Sequence, residues 1–164
     1  MNIPKVSPDQ LDKIISAHTV SSFGVGLIPA PGLDLVGLIA IQHSMIRQIA
    51  ALYKVPFLKE AVQKMLSTLA GGILLSNTMP LWISVVKCIP IVGQAVGAVT
   101  MPVVCGASTY AAGKVFIQHF ESGGTLLTLD PQKVKAYYQK MFEEGKGVAA
   151  SMKGASEDTA SETK

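Results

Sequence analysis

A chain of 164 residues holds one compact domain and a tail, and with 49% hydrophobic residues, 15% charged residues and a mean hydropathy of +0.39 it is neither wholly disordered nor a highly charged nucleic-acid binder. Its net charge of +3 comes from 14 basic and 11 acidic residues spread along the sequence, without the stripe that gripping a phosphate backbone needs, so no nucleic-acid partner is expected. The composition points instead to lipid or to an unusually apolar interior.

Ser7, Pro8 and Gln10 read as a helix start: a hydroxyl cap, a proline at the first helical position and a capping-box partner. The first helix is predicted from Pro8 to Ser22, with Leu11, Ile14, Ile15, His18 and Ser22 inward at three-and-four spacing. FGVGLIPAPGLD then breaks the pattern through Pro29 and Pro31. A second helix is predicted over Asp34–Tyr53, capped by Asp34 and ended by Val55 and Pro56. The third is amphipathic at its start, with Leu58, Val62, Met65, Leu66 and Leu69 inward and Lys59, Glu60, Gln63 and Lys64 outward.

Beyond Lys64 the charges stop. Met65 to Val86 is an uncharged run of 22 residues and Cys88 to Gly113 another of 26, separated only by Lys87. Each is long enough to span a bilayer, which takes roughly 20 apolar residues, but Pro80, Pro90 and Pro102 interrupt them and several Ser, Thr, Asn and Gln residues dilute them. A central apolar hairpin of kinked helices over about Met65–Phe120 is expected. Its second arm is rich in small residues, and Gly93, Gly97, Gly106, Ala107 and Ala111 are the candidate helix-packing positions. Ser122, Gly123 and Gly124 should stop that arm, followed by a short extended TLLTL. Asp130 and Pro131 restart a last helix with Val134, Tyr137, Tyr138, Met141, Phe142 and Val148 on its apolar face. The expected division is a helical domain over 1–149 and a disordered tail over 150–164.

Chemistry is hard to find. Cys88 and Cys105 have neither zinc-site nor C-x-x-C spacing. Gly106 to Val115 misses a phosphate loop, with six residues between its glycines and Val115 where a Ser or Thr must hold magnesium. His18, His43 and His119 lie in separate segments without acidic partners. No catalytic residue, cofactor or metal ligand is assigned, and an enzyme is not expected. Asp34, the only acid between Asp12 and Glu60, is either a helix cap or the centre of a polar network with Gln42, Arg47 and Lys114 inside an apolar bundle.

The start MNIPKVSPDQLDK carries Asp9 and Asp12 and no apolar core, so a secretory signal is not expected. Arg47, Lys54, Lys59 and Lys64 precede the uncharged region and Lys114, Lys133 and Lys135 follow it, the asymmetry of cytosolic flanks. The expected location is the cytoplasmic face of the inner membrane, peripheral or integral. The competing expectation is a soluble helical scaffold that hides the same surfaces in a core or a homo-oligomer.

The blocks VSSFGVGLIPAPGLDLVGLIAIQHSMIRQIAALYKVPF and CGASTYAAGKVFIQHFESGGTLL resemble the bacterial YcjF-like proteins, a family of unknown function whose domain is often fused behind Era-like GTPase domains. The resemblance spans about residues 14–148. It implies a helical, membrane-associated module and a separate GTPase as partner, since the sequence carries no GTPase domain of its own. It supplies no catalytic residue.

Overall fold

The computed structural model describes residues 3–28, 33–75 and 92–161, with side chains described over 3–28, 36–69 and 101–151. Regular structure in this part is entirely α-helical: α1 (Pro8–Val25), α2 (Leu33–Leu52), α3 (Lys59–Leu75), α4 (Val92–Glu121) and α5 (Pro131–Ser161). Gly93 and Gly97 lie in α4 but outside the residues whose side chains are described, as does Asp34 in α2.

Ser7 is extended and precedes Pro8 as expected, yet its side chain makes no cap hydrogen bond. Its carbonyl instead accepts from the amides of Gln10 and Leu11, so the proline and the backbone set the start. The helix runs past Ser22 to Val25 because Phe23 continues the inward stripe and is buried. α2 begins at Leu33, which puts Asp34 in the first turn and not at the cap position. Its C-terminus closes with two bonds, Val55 N–H to the Ala50 carbonyl at 2.8 Å and Lys54 N–H to the Ala51 carbonyl at 3.1 Å. This pairing requires a left-handed residue between helix and loop. Lys54 occupies it with φ 56°, where glycine is usual.

Contacts fix the directions of four helices. His18 on α1 meets Ser44 and Gln48 on α2, while Val25 packs where a Cβ on Gly37 would sit. Gly26 touches Pro102, Ile15 reaches Gly113, and Asp12 pairs with Lys114. Tyr110 donates to Glu144, and Gly106 faces Ala149. Each of α1/α2, α1/α4 and α4/α5 is therefore antiparallel, and α2 runs parallel to α4. One pole of the bundle collects the end of α1, the start of α2 and the N-terminal half of α4.

α4 is the central helix, packed on α1, α2 and α5, and α3 packs on α2 and α5. From Cys105 to Ile117 α4 is buried except at Tyr110 and Lys114, so its apolar residues show no single face. The core joins Leu11 and Ile15, Met45, Ile46 and Ile49, Val62, Leu66 and Leu69, Ala111, Val115 and Phe116, and Tyr138 and Met141. Phe120 links Tyr53 and Phe116 with ring centroids 5.8 and 6.0 Å apart. Of the inward positions expected for α3, Val62, Leu66 and Leu69 are buried, Met65 is half-buried against the core and Leu58 is exposed. Residues 76–91, the middle of the expected hairpin, lie outside the described part.

One expectation needs correction. TLLTL is a turn, not an extended segment: the Thr128 hydroxyl accepts from the Thr125 amide at 2.8 Å and donates to the Thr125 carbonyl at 3.1 Å, closing the backbone on itself. The backbone of α5 runs as a helix to Ser161. At the start of α5 the cap is as read, with Gln132 N–H donating to Asp130 Oδ1 at 3.0 Å.

Candidate functional site

The most connected polar feature is buried. Ser22 Oγ and Thr109 Oγ1 share a hydrogen bond of 2.7 Å, and Gln42 Nε2 donates to Thr109 Oγ1 at 3.3 Å and Ser108 Oγ at 3.1 Å. Ser108 Oγ in turn bonds the Tyr138 hydroxyl at 3.0 Å. This chain joins α1, α2, α4 and α5 through neutral groups, which satisfy one another without burying a charge. Burial pushes the Tyr138 hydroxyl up to about 12, against a smaller opposing effect of its bond to Ser108. One turn away Thr19 is wholly buried and its hydroxyl has no partner among the described residues.

The four residues proposed as a polar network occupy different surroundings. Gln42 belongs to the hydroxyl chain just described. Lys114 forms an ion pair of 3.0 Å with Asp12 and lies 5.5 Å from the Tyr110 ring centroid. Arg47 is exposed, because helical spacing carries it off the buried stripe of Met45, Ile46 and Ile49. The side chain of Asp34 lies outside the described residues. Among the described residues the apolar interior is thus served by hydroxyls and an amide, while Arg47 and the Lys114–Asp12 pair keep access to water.

Of the small residues singled out, Gly106, Ala107 and Ala111 are buried in α4. A Cβ on Gly106 would lie 3.0 Å from that of Ala149, and one on Gly145 would lie 3.0 Å from Ala107 Cα. These glycines let α4 and α5 approach closely.

His119 packs against Gly124, and its ring N–H donates to the Thr125 carbonyl at 2.9 Å, so it holds the α4–α5 turn. His18 bonds the Ile14 carbonyl through Nδ1 at 2.7 Å. Among the described residues no group of three or more His, Cys, Asp or Glu side chains could hold a metal ion.

Two surface features remain. Val20, Leu27, Ile28, Val36 and Ile39 are exposed on α1, the residues just after it, and the start of α2, with Val36 at 66% and Leu27 at 58%. The contact of Val25 with Gly37 gathers the last four at one pole. Further along α2 a cleft of about 270 Å³ opens between α2 and the start of α3, lined by Ala40, His43, Ser44, Arg47, Phe57 and Lys59. Among the described residues no helix is long and apolar enough to cross a membrane.

This all-helical domain, with a polar chain in its core and an apolar pole, belongs to the family described as Domain of unknown function (DUF697), which matches residues 4–147. The chain is also 35% identical over 150 residues to magnetosome membrane protein 22 of Magnetospirillum gryphiswaldense, a match covering 91% of this chain and 77% of that protein. No solved structure matches the chain.

Proposed function

We propose that this domain is a non-catalytic module that associates with a membrane through the pole where α1 ends and α2 begins. The observation that carries the reading is the group of exposed aliphatic side chains there, Leu27, Ile28, Val36 and Ile39, with Val20 one to two turns back on α1. Large aliphatic groups gathered on one surface lose contact with water only by meeting lipid or another protein. α4 continues beyond the Gly26–Pro102 contact through Val92–Met101, a stretch without a charged residue, so the uncharged part of the sequence reaches the same pole. The relative's name, a magnetosome membrane protein, supports lipid as the partner.

On this reading the module works from the cytoplasmic face, as an adaptor or a membrane-remodelling unit. Resemblance to YcjF-like proteins is the support for a separate GTPase as its partner, and the close approach of small residues on α4 would suit association with further copies. The test is fractionation of untagged protein. Recovery with the membrane pellet, and its persistence or release on carbonate washing, would support integral or peripheral attachment respectively. Full recovery in the detergent-free supernatant would favour the soluble scaffold instead.

A further inference from the structure

The cleft between α2 and α3 has a composition the apolar pole does not. Arg47 from α2 and Lys59 from the first turn of α3 line it together, and among the described residues neither forms an ion pair. His43 lines it too, its ring nearly perpendicular to that of Phe57 with centroids 6.3 Å apart. Its Nε2 is buried and has no hydrogen-bond partner among the described residues. Burial first, and then the Lys59 charge, lower its pKa.

The backbone adds donors. α3 starts directly at Lys59, with the Val62 amide bonded to the Leu58 carbonyl. Leu58 has no side-chain oxygen, so it cannot cap the open amides of the first turn. A lysine at this end of a helix opposes the macrodipole, and Glu60 beside it is the one acid in that turn. Two cations and an imidazole thus line one concave space beside the N-terminus of α3, and none of its lining residues is acidic. That arrangement matches an oxyanion with several acceptor oxygens.

Its position on α2 suggests the source. Val36, Ala40, His43 and Arg47 follow one another at three-and-four spacing, with Ile39 beside Ala40, so one outer face passes from exposed aliphatics to cations. The step from Ile39 to Arg47 is eight residues, roughly 12 Å along the helix axis. A surface that enters the acyl boundary at its aliphatic end would hold the cations near headgroup depth.

We propose that the Arg47–Lys59–His43 cleft binds a phosphate group and, resting on the membrane reading above, that an anionic lipid headgroup carries it. The full chain is compared with R47Q/K59Q and with K135Q/K140Q, a control that removes the same charge from exposed positions on α5. Glycerol 3-phosphate should shift the NMR signals of the His43 ring and of the Glu60 and Ala61 amides in the full chain and the control, but not in R47Q/K59Q. Vesicles containing phosphatidylglycerol should bind at least ten-fold better than pure phosphatidylcholine vesicles, with that preference lost in R47Q/K59Q and changed less than two-fold in the control. Phosphate-induced shifts without a vesicle preference would uphold the phosphate site and overturn the lipid source. Equal losses in both variants without such shifts would assign the preference to diffuse charge and overturn the site. Were the full chain to bind neither vesicle, the membrane reading would fail, and the glycerol 3-phosphate signals would still decide the cleft.

Discussion

A Cβ built on Gly26 would fall 2.6 Å from the Cα of Pro102, so α1 and α4 meet there through bare backbone. Gly26 itself has φ −64°, an ordinary helical value, and the glycine is required by this approach alone. Gly24, two residues earlier, faces open space. Gly26→Val should therefore cost about 1–3 kcal/mol as the two helices are pushed apart, while Gly24→Ala should leave the protein as stable or slightly more so. Thermal melts of the two variants check this.

The same contrast recurs within α5. A Cβ on Gly145 would lie 3.0 Å from Ala107 Cα and 3.1 Å from the Ala107 carbonyl oxygen, whereas one on Gly147 would meet nothing within 4 Å. Gly147→Ala should stabilise by about 0.5–1 kcal/mol through helix propensity. Gly145→Ala should be destabilising. Urea titrations of both variants distinguish a packing face from a general excess of glycine.

The spacing rules read the outer helices well and the centre poorly. Leu11 and Ile15, or Val62, Leu66 and Leu69, repeat on one side and are buried as their periodicity predicts. α4 is covered on nearly all sides, so its sequence has no polar face to orient it, and Ser108 and Thr109 are lost among alanines and glycines. Ser22 was legible as an inward position, but its partner lies 87 residues away. The cleft depends on the turn after α2, where Lys54 takes a left-handed conformation that no residue type there announces. Arg47 and Lys59 consequently read as unrelated surface charges.

The buried hydroxyls yield a paired prediction. Thr109→Val removes the bond to Ser22 and leaves that buried hydroxyl without its partner, which should cost about 1–3 kcal/mol. Thr19→Val replaces a wholly buried hydroxyl that has no partner among the described residues by a methyl group of similar shape, and stability should hold or rise. Denaturant midpoints of the two valine variants measure the difference.

High pH should unfold the domain in a defined window. Burial raises the Tyr138 hydroxyl to about 12, and burial together with Glu121 raises that of Tyr53, which donates to Glu121 Oε1, to about 12 as well. Tyr110 is also raised, by burial and by its bond to Glu144. A tyrosine that ionises at about 10 in the unfolded chain but later in the folded one contributes full stability below pH 10 and loses it as pH climbs toward 12. Denaturation curves from pH 9 to 12 should show this fall, and Tyr138→Phe should make it shallower.

The central claim is that the pole formed by α1 and α2 carries the domain to a membrane, and vesicle flotation tests it most directly. The full chain should rise with lipid vesicles, and Val36→Asp/Ile39→Asp, which charges two exposed positions without touching the core, should reduce the floating fraction at least five-fold while the melting temperature is kept. A full chain that stays at the bottom of the gradient, or a charged double variant that floats as well as the parent, would contradict the account.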